Sequence, residues 1–156
     1  TTDEIYAAAL FHNSGMAILL DSTEVYIETI KAAYTEENSN ITAHEETNLG
    51  ESHANIGSQL SITWGLSNDI ARAIKAHHSP EAIIKLIDSD SESGDILLVL
   101  KISEHIAKLP GYLAKVAHDY EWEKIKETIF DRLKVTEGMF TRIEHTIKKQ
   151  LAEIKS

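Results

Sequence analysis

The residues of this chain best suited to chemistry are its histidines. The first stands in "LFHNSGMAILL", residues 10–20. A His followed by Asp, a short turn and a Gly would be half of a metal-dependent phosphohydrolase site. There, a cation polarises a phosphoryl oxygen and lowers the pKa of a bound water. Here the residue after His12 is Asn13. A carboxamide keeps the shape of Asp and one acceptor oxygen but loses its negative charge. Further histidines follow at His53 in "LGESHANIG" and at the adjacent pair His77-His78 in "AIKAHHSP".

Other chemistries find little support. Cysteine is absent, so neither thiolate nucleophiles nor zinc–thiolate sites are available. "HNS" and "NSG" lack the strand–elbow–helix setting of a Ser nucleophile. "SGDILLVLK" has one Gly and no G-K-[ST], so it is no phosphate loop. "DSDSESGD" at 88–95 has the composition of a calcium loop but no bidentate Glu at the required place, and reads as a solvated linker. The formal net charge of -10 repels nucleic acid and anionic membranes, and the pair Lys148-Lys149 is too small a basic patch to reverse that. No apolar run is long enough to span a bilayer, and the acidic start lacks a signal-peptide pattern. The expectation is a cytoplasmic protein with no nucleic-acid or membrane partner.

The elements that must position the histidines read as helices. The chain has 156 residues, 42% hydrophobic, with two prolines and seven glycines, and long stretches show three- and four-residue apolar spacing. The spacing predicts a helix over about 3–11, capped by Thr2 or Asp3. A short helix follows Gly15, and another starts near Thr23 and ends in "EENSN". Thr42 and Glu45 are expected to form a capping box opening a helix to about Trp64, with Gly65 as the stop. Ser67 opens the next, ending at His78, and Ser79 caps another with Pro80 at its first position. "DILLVLKI" is read as helix, capped by Ser93, with Ile96, Val99, Leu100, Ser103 and Ile106 or Ala107 on one face. Ile125, Ile129 and Leu133, then Phe140, Ile143, Ile147, Leu151 and Ile154, form an apolar stripe. It is expected to pack on its own domain; the alternative is a partner or a homodimer through 140–154.

Four pieces, "FHNSG", "LGESHANIG", "WGL" and "AIKAHHSP", come in an order and spacing that resembles the HDOD family, a divergent branch of the HD-domain superfamily. Glu46, Gly50, His53-Ala54, Gly57, Trp64, Leu66, Ile70, Ile74, His77-His78 and Pro80 carry the resemblance, over roughly residues 3 to 108. It implies an all-α, compact multi-helix bundle of the HD-domain type in a bacterial signalling or regulatory context. In the catalytic relatives, a His-Asp pair, further His residues and a late Asp hold metal. By that resemblance His12 takes the place of the paired His, Asn13 that of the Asp, and Met16 that of a frequent Lys. His53, His77 and His78 take later His positions, and Glu104 falls near the late Asp. The earlier His has no counterpart in residues 1–11.

The site reads as disarmed. The chain is expected to be a non-catalytic signalling module acting through contacts with a partner protein or other domains of a longer chain. Residues 1–120 would be the HDOD-like domain, its upstream helices missing before Thr1, and 121–156 C-terminal amphipathic helices. His12, Asn13, His53, His77, His78 and Glu104 would line a vestigial cleft with no catalytic role and no resident cofactor. Should a divalent metal bind, His12, His53, His77 and His78 would hold it. The alternatives are a metal-dependent phosphohydrolase acting on nucleotides, or a sensor binding a small anion in the old cleft. Residue by residue, plainer roles compete: His12 bonding at a helix end, His53 as a core histidine bonded to a backbone carbonyl, and one of His77 and His78 favoured by a helix C-terminus. His44, His105, His118 and His145 are expected at the surface.

Overall fold

A computed structural model of the chain describes residues 1–22, 25–35, 40–107 and 119–154. Thr23, residues 36–39 and His118 lie outside these, as does the side chain of Ile154. The described residues form α-helices, and no strand occurs among them. In chain order they are α1 (Thr2–Phe11), α2 (Ser14–Ser22), α3 (Tyr26–Thr35), α4 (Ile41–Leu49), α5 (His53–Thr63), α6 (Asn68–Ala76), α7 (Pro80–Asp88), α8 (Glu92–Ala107), α9 (Tyr120–Leu133) and α10 (Glu137–Ile154).

Local chemistry sets the boundaries. Ser52, Ser67 and Ser79 each accept a hydrogen bond from an amide of the first helical turn that follows, and Pro80 occupies the first turn of α7. Helix α1 is capped by Thr1, with Glu4 reaching back, and not by Thr2 or Asp3. The long helix expected from Thr42 to Trp64 is two helices. Gly50 ends α4 in the left-handed region (φ 80°), and Ser52 starts α5. The expected Thr42–Glu45 capping box is absent, because Asn40 already caps α4 by accepting from the amides of Thr42 and Ala43. Glu45 is thereby released for a different task.

The acidic stretch 88–95 is a solvated connection only over 89–91, and its second half is helical. Helix α7 ends at Asp88 and α8 begins at Glu92. Ser93, expected as a cap, is buried within α8 and bonds Asp69, while the Ser91 hydroxyl accepts from the amide of Gly94. The acids of this stretch serve at helix ends instead: Asp90 and Asp95 both pair with Arg132 of α9.

Two apolar clusters hold the bundle. In the larger, Ile74, Ile83, Ile87, Ile96, Leu97, Ile125 and Ile129 are almost wholly buried, joining α6, α7, α8 and α9. Burial of each such side chain is worth about 1.5–3 kcal/mol. The smaller joins Leu19, Tyr26, Ile30, Ala33 and Ile41 of α2, α3 and α4. Helix α5 packs on α2 on one side and on α6 on the other, so the start of α5 lies between the two clusters. On α10 Phe140 is buried and Ile147 half-buried, while Ile143 and Leu151 are exposed.

One close approach fixes the start of α5. A Cβ on Gly15 would lie 2.1 Å from the backbone oxygen of His53. Only a residue without a side chain lets α2 run so close to α5, and this draws the α1–α2 turn, with His12 and Asn13, toward His53. Gly15→Ala is expected to push the helices apart and cost about 1–3 kcal/mol, as overpacking does. Urea denaturation of the variant against the parent checks it.

Candidate metal centre

The histidines of the site are held at helix ends, and the ends explain their orientation. His12 and His77 are the C-cap residues of α1 and α6. The last carbonyls of a helix lack intrahelical donors, and each imidazole supplies one. His12 Nδ1 donates to the carbonyl of Ala9 at 2.8 Å, and His77 Nδ1 to that of Ile74 at 2.6 Å. With Nδ1 bent back onto its own helix, each ring turns Nε2 away from it. His53 opens α5, and there a helix start has spare amides. Its backbone N–H donates to Glu45 Oε2 at 2.9 Å and its ring Nδ1 to the same oxygen at 2.6 Å. The Tyr26 hydroxyl donates to the other oxygen of Glu45 at 2.8 Å. His78 follows His77 in the turn to α7, and its Nδ1 donates to Glu121 Oε2 at 2.9 Å.

The rings meet in the middle. Ring centroids lie 4.2 Å apart for His77 and His78, 5.0 Å for His53 and His78, 5.2 Å for His53 and His77, and 5.3 Å for His12 and His77. His53 Nε2 is 3.3 Å from His77 Nε2. His53 and His77 are fully buried and His12 and His78 nearly so. Their Nδ1 partners are carboxylates and carbonyls, which only accept, so Nδ1 carries a hydrogen in each ring, and in His77 and His78, which burial favours as neutral, Nε2 carries the lone pair.

Charge is arranged around them. The buried ammonium of Lys101 on α8 pairs with Glu104 of the same helix and with Glu121 of α9. Glu104 Oε1 lies 3.2 Å from His12 Nε2, but out of line for a hydrogen bond, so that nitrogen is a buried polar atom without one, as are Asn13 Oδ1 and Ser14 Oγ. Burial pushes the pKa of Lys101 down, but Glu104 and Glu121 outweigh it and the net shift is upward. Burial pushes Glu104 up, but Lys101 and His12 outweigh it and hold the carboxyl well below its ordinary range. Burial, reinforced by neighbouring positive charge, holds His77 and His78 well below the ordinary imidazole value.

A sequence profile of the HDOD domain family matches residues 1–80, more than half of the chain. The chain belongs to the HDOD family. The all-α bundle is of the HD-domain type that membership implies. No curated protein and no solved structure matches the chain. Among the described residues no helix is long and apolar enough to cross a membrane.

Five of the residues singled out in the sequence converge: His12, His53, His77, His78 and Glu104 form one buried cluster, while Asn13 follows His12 in the α1–α2 turn and its Oδ1 bonds none of them. The plainer roles hold in part. His12 does bond a helix-end carbonyl, and so does His77. His53, however, bonds a carboxylate rather than a backbone carbonyl. Three members escaped sequence reading: Glu45, taken for a cap, Lys101, read only as part of a helix, and Glu121, 43 residues from His78 in sequence. His105, expected at the surface, is half-buried there: it stacks on Trp122 at 4.0 Å and bonds Asp119. His145 is exposed.

The donor set fits a transition-metal cation. One candidate ligand atom from each of His53, His77 and His78 lies within 4.8 Å of the others. Imidazole nitrogens suit zinc, nickel, cobalt or copper and not magnesium or calcium. Two nitrogens about 2.0–2.1 Å from a tetrahedral ion stand roughly 3.4 Å apart, close to the separation of His53 Nε2 and His77 Nε2. A second cation would need carboxylates of its own, and Glu104 is committed to Lys101.

Two expectations follow for metal-free protein. His77 and His78 titrate lower when folded than when unfolded, so below about pH 6.5 the unfolded chain binds more protons. Their contribution to stability is therefore full above that pH and lost as pH falls below it, by up to about 1.4 kcal/mol per pH unit for each ring. Urea midpoints at pH 7.5 and 5.5 should differ accordingly, and His78→Gln should reduce the slope. Lys101→Met strands two carboxylates and should cost about 3–5 kcal/mol; adding Glu104→Gln should restore part of it in the same assay.

Proposed function

We propose that the chain is a regulatory module of a signalling system. It acts through contacts with a protein partner or with other domains, and does not hydrolyse a phosphoester. The main support is the commitment of Glu104 to the buried Lys101 ammonium. Phosphoester cleavage by paired metals needs carboxylates free to hold the ions and coordination positions that a substrate can reach. Here the late carboxylate is already neutralised, Asn13 supplies no charge, and the converging imidazoles are buried. Membership of the HDOD family agrees with such a role through the regulatory setting that the sequence resemblance implies.

The contact surface that best suits a partner is the later part of α10. Ile143 and Leu151 are exposed there, on a helix whose early residue Phe140 anchors in the bundle. A second copy of the chain using 140–154 is the simplest occupant, and the other domains of a longer signalling chain are the next.

Full-length protein supplied with manganese or ferrous iron is expected to hydrolyse neither bis-p-nitrophenyl phosphate nor cyclic nucleotides above a metal-only control. Turnover that disappears in His77→Ala would overturn the non-hydrolytic reading. Sedimentation of the parent beside Ile143→Asp/Leu151→Asp tests the α10 contact, with a shift to smaller species expected in the variant if copies pair there.

A further inference from the structure

We propose that His53, His77 and His78 hold one late first-row transition-metal dication of the zinc class, and that Glu121 couples occupancy of this site to docking of α9. The inference rests on the cluster being non-hydrolytic, and adds to it a ligand and a means of regulation.

The Nδ1 atoms of the three rings are committed to Glu45, Ile74 and Glu121. What remains is three buried Nε2 atoms, with those of His53 and His77 only 3.3 Å apart. At that distance the two Nε2 atoms share either one proton, donated by His53 paired with Glu45, or one cation, and a dication takes the place of the proton. A ligating His that gives its other N–H to a carboxylate or carbonyl is the pattern by which proteins orient imidazoles on metals. All three rings show it.

Charge points the same way. Glu45, Glu104 and Glu121 bring three negative charges to the cluster and Lys101 one positive charge. Around neutral imidazoles this leaves an excess of two negative charges, which one dication balances. His12 gives a second, independent sign. Its Nε2 is buried without a hydrogen bond, 3.2 Å from the Glu104 carboxylate, and its ring stands edge-on to His77, so a fourth imidazole borders the set with a carboxylate behind it.

Glu121 makes the site more than a structural plug. It lies beyond the segment that matches the family, in the first turn of α9, next to Trp122, which is buried in the larger core. A dication on His78 would make its N–H more acidic and its bond to Glu121 stronger. By linkage, docking α9 must then raise metal affinity by the same factor as metal strengthens docking. A pull on the C-terminal helices is thereby felt at the metal, and metal supply at the helices.

The test uses full-length, chelator-stripped protein titrated with cobalt(II), then with zinc(II) against a chromophoric chelator. One equivalent should bind, with visible cobalt bands of a nitrogen-rich site, and amide hydrogen exchange over 120–133 should slow on binding. His53→Ala should abolish the bands. Glu121→Gln should still bind one equivalent, but about 10–100-fold more weakly, and its exchange over 120–133 should no longer respond. Absence of stoichiometric binding by the parent overturns the site, even if His53→Ala fails to fold. Parent-like affinity and exchange response in Glu121→Gln overturn the coupling. Neither outcome touches the non-hydrolytic reading, which only metal-dependent turnover overturns.

Discussion

The structure depends on each imidazole of the cluster having its Nδ1 hydrogen committed to a fixed acceptor. Two acceptors are helix-end carbonyls, of Ala9 and Ile74, and two are carboxylates, of Glu45 and Glu121. A buried histidine left to itself can flip, change tautomer or shed its proton. Once Nδ1 is committed, the ring plane, the tautomer and the direction of Nε2 are all determined. The helix geometry then follows: α1 and α6 must end where they do, α5 must begin against Glu45, and α9 must bring Glu121 to His78. Glu45 also ties the smaller apolar cluster to the site, because it accepts the Tyr26 hydroxyl from α3 while gripping both the amide and the ring of His53.

Lys101 governs the electrostatics. An ammonium that is almost fully buried is costly unless paired, and it is paired twice, to Glu104 and Glu121. Those pairs hold two carboxylates in place and leave less negative charge for a cation than three carboxylates alone would. The result is a cluster suited to one dication held mainly by nitrogen and unsuited to a pair of ions. Replacing the expected aspartate by Asn13 therefore does not strip the cluster of negative balance. The balance is supplied by Glu45 and Glu121, which reach the rings through Nδ1 and not as direct neighbours of His12.

Much of this was legible in the sequence. The apolar spacing gave helices throughout, the serine caps at 67 and 79 stand where expected, and the histidines assigned to one cleft do meet. The failures have identifiable causes. The split between α4 and α5 hinges on Gly50 adopting a left-handed conformation, and "LGES" reads as easily through as across. Glu45 was read as a capping partner because Thr42 and Glu45 have the right spacing; Asn40 outcompetes Thr42 by reaching two amides, and that is decided in three dimensions. Lys101 lies within an apolar helical run, where a single lysine usually snorkels to solvent, and only its contacts show that it does not. Glu121 is separated from His78 by 43 residues, and no local pattern links them.

The division of labour along the chain bears on what the module can do. The segment that matches the family supplies all four imidazoles, Asn13 and Glu45. Lys101 and Glu104 come from α8 and Glu121 from α9, after that segment ends. A site assembled in this way is complete only when the later helices are docked. The anchor of α9 is partly apolar, through Trp122, Ile125 and Ile129, and partly ionic, through Lys101 and His78. An apolar anchor holds whatever the state of the rings, but the ionic one answers to their charge. On the reading proposed above, the buried polar cluster is the adjustable part of an otherwise fixed interface.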